Sequence, residues 1–153
     1  MSKIFIKKMA IRDLAEVSEL ALLANPNAVK EEYERHLRDL LENQPDLSFV
    51  AIVDGGVVGY VQAEVHGSMA VIKDIAVNKN FQGIGVGGKL LRKVLQVLKR
   101  KNVRLVFADV HYRCASAIPF YYKFYYKFGF RIAGFQQDYF GAGHDAIILK
   151  LEL

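Results

Sequence analysis

Four glycines fall within six residues of one segment, a spacing that could serve phosphate binding. Gly83, Gly85, Gly87 and Gly88 lie between an apolar run and a helical pattern. Glycine lets backbone N–H groups approach a phosphate closely, and the N-terminus of a helix adds a favourable dipole for an anion. A tight turn alone would need only one or two glycines. The segment therefore predicts a backbone cradle for an anionic ligand.

Two nucleotide-binding motifs come close to this pattern, but neither is complete. Gly83, Gly85 and Gly88 satisfy the G-x-G-x-x-G spacing of dinucleotide-binding folds, yet no βαβ unit with a ribose-binding acid surrounds them. Gly83, Gly88 and Lys89 fit a Walker loop, but Leu90 stands where a Ser or Thr would hold magnesium. The pattern thus argues against a nucleotide-binding domain.

The hydrophobic pattern around the loop predicts one α/β domain over residues 1–153, with a mixed, mostly antiparallel sheet and flanking helices. Apolar β-branched runs predict strands, and apolar residues at helical spacing predict helices. The predicted order is strand, two helices, three strands, helix, strand, helix and two strands. Asp54-Gly55-Gly56 predicts a hairpin between two of these strands.

The amino-acid composition limits which classes of protein and which kinds of partner are plausible. Hydrophobic residues make up 52% of the 153 residues and charged residues 24%, which is typical of a globular protein. The net charge of +5 favours an anionic ligand, while the absence of a long basic run argues against nucleic acid. A single cysteine, no long apolar run and no apolar leader predict a cytoplasmic location without a membrane partner.

Several features together make this sequence resemble the GNAT superfamily of acetyl-CoA-dependent N-acetyltransferases. The run from Gln82 to Gly87 resembles its Q/R-x-x-G-x-G/A loop, and Asp74-Ile75-Ala76-Val77 resembles the strand before that loop. The run from Phe124 to Phe130 resembles its F-Y-x-K-x-G-F element. The predicted order of elements also matches, so the resemblance covers essentially the whole chain.

The resemblance implies a reaction and a donor site. It implies that acetyl-CoA gives its acetyl group to a primary amine by direct attack in a ternary complex, with neither a metal nor a covalent enzyme intermediate. It also implies that a strand backbone holds the pantetheine arm and thioester, and that the glycine loop with a glutamine side chain takes the pyrophosphate. The residues so assigned are Ile75, Ala76, Val77, Gln82, Gly83, Ile84, Gly85, Val86, Gly87 and Gly88.

A repeated tetrapeptide offers two tyrosines as the acid that protonates the departing thiolate. Phe-Tyr-Tyr-Lys occurs twice in succession, at 120–123 and 124–127, and the resemblance implies a tyrosine in this role. Counting back from the Gly-Phe that ends the element selects Tyr125, whereas counting forward from the preceding strand selects Tyr121. Pro119 favours Tyr125, because proline belongs in the first helical turn and would place the extra residues in the preceding loop.

Asp109 occupies the position of a glutamate that acts as general base in part of the superfamily. The resemblance implies this role for Asp109, directly or through water, although a carboxylate that accepts loop N–H bonds is an equally good interpretation. Glu64 and Asp74, on neighbouring predicted strands, are competing bases. Cys114 stands where the superfamily has Asn; because no His/Asn constellation is evident to activate it, we expect it to pack as a small apolar residue.

The acceptor is indicated by one segment. The run from Asp138 to Ala146 resembles the Y-Y-x-x-G-E-D-A segment of the ribosomal-protein-alanine type of N-acetyltransferase, with Phe140 for Tyr and His144 for Glu as departures. It implies a protein N-terminal amine as acceptor. A small-molecule amine acetyltransferase and a non-catalytic acyl-CoA-binding module are the alternatives, and tyrosines at both counted positions argue against the second. The sequence leaves monomer and homodimer open.

Overall fold

The computed structural model describes residues 2–24, 28–111, 118–139 and 141–153, with the backbone alone described at 111 and 118–122. The predicted order of elements is confirmed. The strands are β1 (Phe5–Lys8), β2 (Ser48–Val53), β3 (Gly56–His66), β4 (Met69–Val77), β5 (Leu105–His111), β6 (Arg131–Gln136) and β7 (Ala146–Glu152). The helices are α1 (Leu14–Ala24), α2 (Lys30–Asn43), α3 (Val86–Arg100) and α4 (Ile118–Lys127). In these described ranges, no helix is long and apolar enough to cross a membrane.

The strands form a seven-stranded sheet in the order β1-β2-β3-β4-β5-β7-β6. β4 and β5 pair in parallel, whereas β1 with β2, β2 with β3, β5 with β7 and β6 with β7 pair antiparallel. The predicted fold class, a mixed and mostly antiparallel sheet flanked by helices, is therefore confirmed.

Contacts along the chain define two compact units. The first comprises Met1–Glu64 and Lys73–Lys101, and the second comprises Val65–Ile72 and Asn102–Leu153. The expectation of one domain over residues 1–153 stays a prediction.

In the first unit, helices cover both faces of the strands. α1 and α2 pack on one face, where their buried residues meet Val50 and Tyr60 in a common core. Phe49, the neighbour of Val50, points to the opposite face, and the Nζ of Lys93 on α3 lies 5.9 Å from the centre of its ring. α3 therefore covers that second face. Its buried side consists of Val86, Leu90, Leu91, Val94 and Leu98.

In the second unit, β5 pairs with β4 on one side and β7 on the other, and α4 packs against it. Val106, Ala108 and Val110 alternate along β5 and are buried, and Ala108 lies opposite the buried Leu149 of β7. α4 begins at Ile118, so Pro119 lies in its first turn, as predicted. This confirms the helix start on which the choice between the two tyrosines depends.

Gly59 lies on β3 at a point where α3 packs closely against the strand. A Cβ atom at Gly59 would lie 3.1 Å from the carbonyl oxygen of Ala76 and 3.2 Å from two α3 side chains. We predict that Gly59→Ala lowers the free energy of unfolding by about 1–3 kcal/mol, because strand and helix must move apart. Urea denaturation measures the change. Gly56→Ala is the matched control, since its Cβ would meet only a carbonyl oxygen at 3.8 Å. Equal losses in the two variants would contradict the close packing.

Candidate functional site

The junction between β4 and α3 has the backbone geometry that an anion cradle needs. After β4, the Asn78 side chain accepts a hydrogen bond of 2.9 Å from the Asn80 N–H and turns the chain towards the glycines. Gly83 and Gly85 have φ angles of 81° and 93°, a left-handed conformation that side chains disfavour. A Cβ atom on either would meet nothing within 4 Å. The backbone angle, not crowding, therefore requires glycine at these two positions.

α3 begins directly after Gly85, and in the described chain no side-chain hydrogen bond caps its first turn. The Lys89 N–H donates to the Gly85 carbonyl oxygen at 3.0 Å, which is the first bond of the helix. The N–H groups of Val86, Gly87 and Gly88 precede that bond and have no acceptor within the helix. They lie at the positive end of the helix dipole, where a phosphate binds most favourably.

Gln82 ties the loop to the end of β4. Its side-chain amide donates to the Val77 carbonyl oxygen at 3.0 Å. The Asn78 N–H donates to the Val58 carbonyl oxygen at 2.7 Å, which fixes the end of β4 against β3. The loop and the segment Ile75, Ala76 and Val77 are thus held together within the first unit. Their assignment to the acetyl donor, and that of the Gln82 side chain, stays a prediction.

A carboxylate directly before this segment accepts hydrogen bonds from two tyrosines. The Tyr60 hydroxyl on β3 donates to Asp74 Oδ2 at 2.6 Å, and the Tyr33 hydroxyl on α2 donates to the same oxygen. We call these residues the Tyr33–Asp74–Tyr60 cluster. Tyr60 is fully buried, whereas Tyr33 and Asp74 are partly exposed. The accessible edge of the cluster is therefore formed by Asp74 and Tyr33.

The surroundings of the cluster shift the pKa of each member. Burial raises the pKa of Asp74, although the two hydroxyls and the Ile75 backbone N–H act in the opposite direction. Burial, followed by the charge of Asp74, raises the pKa of both tyrosines. The tyrosines therefore remain protonated donors at neutral pH. The sequence named Asp74 as a competing base but missed its partners; the available signal was an ionisable residue within an apolar strand, which requires partners when buried.

The other two candidate bases have different partners. Glu64, on β3, lies 4.0 Å from the Nζ of Lys73 on β4, and both side chains are accessible to water. Asp109, on β5, accepts a hydrogen bond from the Tyr139 hydroxyl. Burial first, and then the charge and hydrogen bond of Asp109, raises the pKa of Tyr139, which keeps the hydroxyl protonated. Asp109 is thus linked to the segment that is expected to meet the acceptor.

Two aspartates fold that segment into a closed loop. The Gly143 N–H donates to Asp138 Oδ1 at 2.7 Å, and the Asp138 N–H donates to Asp145 Oδ1 at 2.8 Å. These bonds connect Asp138, the residue before Tyr139, to Gly143 and Asp145. Phe140 lies outside the described residues. Among the residues that are described, no group of three or more His, Cys, Asp or Glu side chains could hold a metal ion.

Tyr125 is held in an aromatic cluster of the second unit. It is 3% exposed, and its ring packs edge-on against Phe124 at 5.3 Å and Phe130 at 5.1 Å between centroids. Its carbonyl oxygen accepts the Phe130 N–H at 3.2 Å. The Tyr121 side chain and the whole of Cys114 lie outside the described residues. The choice of Tyr125 over Tyr121 as the acid stays a prediction.

Comparison with known families decides to which class this arrangement belongs. The model of the acetyltransferase (GNAT) family matches residues 14–130, which is more than half of the chain. The chain belongs to that family. The matched range includes the β4–α3 loop, Asp109 and Tyr125. The protein is therefore an acetyltransferase of a family whose members use acetyl-CoA as donor.

The likeness extends along the chain in individual relatives. An uncharacterised N-acetyltransferase of Methanocaldococcus jannaschii is 28% identical over 94% of this chain and 88% of its own. An N-alpha-acetyltransferase of Sulfurisphaera tokodaii is 28% identical over 69% of this chain and 68% of its own. A Bacillus subtilis protein named for N-acetylation of the alanine of ribosomal protein bS18 is 26% identical over 97% and 95%, respectively. The resemblance to the ribosomal-protein-alanine type is thus confirmed.

A solved structure shows the same fold. Ard1 from Thermoplasma volcanium superposes with a TM-score of 0.86 at 24% identity, covering 98% of this chain and 97% of that one. At this identity the likeness shows the fold alone.

The surroundings of Asp74 predict how stability depends on pH. A carboxyl group whose pKa is raised by folding binds its proton more tightly in the folded chain than in the unfolded chain. The free energy of unfolding therefore falls as the pH rises from the unfolded pKa of about 4 through the folded pKa. Asp74→Asn removes this pH-dependent fall. We predict that the free energy of unfolding of the wild type, minus that of the variant, decreases as the pH rises above about 4.

Urea denaturation at a series of pH values measures this difference. Asp46→Asn is the control of opposite sign, because hydrogen bonds and charge from Lys8 and then Lys101 lower the pKa of the exposed Asp46. Its contribution is lost as pH falls, so the corresponding difference for Asp46 increases with pH. A difference for Asp74 that is constant, or that grows with pH, would contradict the raised pKa.

Proposed function

We propose that this acetyltransferase moves the acetyl group of acetyl-CoA to the α-amino group of a protein or peptide N-terminus. The observation that carries the proposal is the Asp138–Ala146 segment, which resembles that of N-terminal acetyltransferases and aims the Tyr139 hydroxyl at Asp109. The names of the Sulfurisphaera tokodaii and Bacillus subtilis relatives support the same class of acceptor.

The donor binds through backbone groups of the first unit. The amides of Val86, Gly87 and Gly88 take the pyrophosphate, because they have no acceptor within α3 and lie at the positive end of its dipole. Ile75, Ala76 and Val77 hold the pantetheine arm and the thioester. The net charge of +5 favours an anionic donor of this kind.

Transfer requires a neutral amine and a proton for the departing sulfur. Asp109 takes a proton from the acceptor ammonium, directly or through water, while Tyr139 holds the carboxylate in place. The amine nitrogen then forms a bond to the thioester carbonyl carbon, the carbon–sulfur bond breaks, and the Tyr125 hydroxyl donates its proton to the thiolate. The scheme uses no metal ion and no covalent bond to the enzyme.

A single carboxylate base can deprotonate an N-terminal amine more easily than a lysine side chain. The reference pKa is about 8 for an α-amine and about 10.4 for lysine, so the α-amine is neutralised at a lower free-energy cost. The difference of about 2.4 pKa units corresponds to roughly a 200-fold difference in the neutral fraction near pH 7.

A panel of amines tests the acceptor. It contains a lysine-free peptide with a free N-terminus, an N-terminally blocked peptide with an internal lysine, a polyamine and an aminoglycoside, each with acetyl-CoA. We predict that kcat/KM for the α-amine exceeds that for lysine by about tenfold or more, with the acetylated atom located by mass spectrometry. Exclusive modification of lysine or of small amines would contradict the proposal. Acetyl-CoA binding without any transfer would favour the non-catalytic module.

The two repeated tyrosines give a test of the acid. We predict that Tyr125→Phe lowers kcat by about a hundredfold with little change in acetyl-CoA affinity, because it removes the proton donor and keeps the packed ring. Tyr121→Phe should do much less. Tyr126→Phe is the control on the same helix, since Tyr126 is exposed and stacks on Arg131. Steady-state kinetics and calorimetry measure the two quantities.

Either of two results would contradict the choice of Tyr125. The reverse ranking would identify Tyr121 as the acid. Equal and negligible losses would remove tyrosine from the mechanism and leave water to protonate the thiolate.

A further inference from the structure

The proposed reaction leaves the partly buried carboxyl group of Asp74 without a role. Asp74 lies at the residue before Ile75, where the segment assigned to the thioester begins. On a strand, residues two apart point to the same face, so the side chains of Asp74 and Ala76 share one. Ala76 packs against the core formed by α1, α2 and the strands, which places Asp74 on the face covered by these helices.

The cluster is built asymmetrically around this carboxylate. Tyr60 is fully buried, so its hydroxyl anchors Asp74 Oδ2 from inside the first unit. Tyr33 and Asp74 remain partly exposed. Because the Tyr33 hydroxyl donates its only proton to Asp74, its oxygen can offer only lone pairs to another molecule. The accessible edge therefore presents oxygen atoms that accept hydrogen bonds.

We propose that Asp74 and the Tyr33 oxygen bind the ammonium group of the acceptor amine. An ammonium group carries three N–H donors and a positive charge, which complement a carboxylate and a neighbouring oxygen whose proton is already engaged. An alcohol of the same shape carries one donor and no charge. The site therefore selects primary amines. This inference rests on the proposed function and adds an acceptor-binding residue to it.

The test compares an acceptor peptide with a matched peptide whose α-amino group is replaced by hydroxyl, used as a competitive inhibitor. We expect Asp74→Asn to raise the KM of the amine peptide by roughly 10- to 100-fold, because a hydrogen-bonded charge pair is lost. The inhibition constant of the hydroxyl peptide should change by less than about twofold, since it has no ammonium group. The KM of acetyl-CoA should also stay within about twofold.

Tyr33→Phe is the second variant, which keeps the test decisive if Asp74→Asn does not fold. It removes one neutral acceptor, so the amine KM should rise by about 2- to 10-fold, again without an effect on the hydroxyl peptide. Asp46→Asn is the control, because it removes an exposed carboxylate that pairs with Lys8 and Lys101. Its kinetic constants should equal those of the wild type.

Two other results of this test would overturn the inference, and a third concerns the proposed function alone. Equal weakening of the amine and hydroxyl peptides would show that the cluster only shapes the fold, and would overturn the inference. A fall in kcat with unchanged amine KM would make Asp74 the general base and would also overturn it. If the wild type acetylates no peptide N-terminus, the proposed function is overturned but this inference is not. The comparison is then repeated with the primary amine that the enzyme does acetylate and with the hydroxyl analogue of that amine.

Discussion

The donor site that we propose depends on backbone N–H groups at the start of α3 that have no acceptor within the helix. α3 begins at Val86 after a left-handed glycine, with no side-chain cap. Because the N-cap residue is Gly85, the helix loses only about a few tenths of a kcal/mol relative to one with a capping side chain. The buried side of α3 offsets that loss, because each fully buried Leu or Val contributes about 1.5–3 kcal/mol. The helix is thus held by its packing and can keep its first turn available to a ligand.

β4 connects this donor loop to the other candidate groups of the first unit. Along one strand it carries Asp74, then the segment assigned to the thioester, and then the turn that leads to the glycines. Hydrogen bonds from Tyr33 and Tyr60 connect Asp74 to α2 and β3, and a hydrogen bond from Gln82 connects the loop to Val77. The position of the candidate groups is therefore fixed by hydrogen bonds to elements on both sides of the strand. The second unit holds Tyr125, Asp109 and Tyr139 by an analogous combination of ring packing and hydrogen bonds.

Local signals in the sequence were enough for the elements and the loop. Hydrophobic periodicity, the Asp54-Gly55 hairpin signal and the glycine spacing each act over a few residues, and they predicted the order of elements and a glycine-rich loop between a strand and a helix. The partners of Asp74 and Asp109 could not be found in this way. Tyr33 is separated from Asp74 by 41 residues, and its spacing on α2 fits a core position equally well. Long-range pairs of this kind depend on register and packing, which no local pattern encodes.

The most direct test of the account is an NMR titration of the backbone amides of Val86, Gly87 and Gly88. The protein is titrated with CoA and, separately, with pantetheine, which lacks the pyrophosphate. We predict that CoA moves the three amide proton resonances downfield, as expected for new hydrogen bonds to an anion, whereas pantetheine leaves them in place. Gly56, outside the loop, serves as the internal control. CoA that binds without moving these three resonances, or moves them no more than that of Gly56, would show that the pyrophosphate is held elsewhere and would contradict the account.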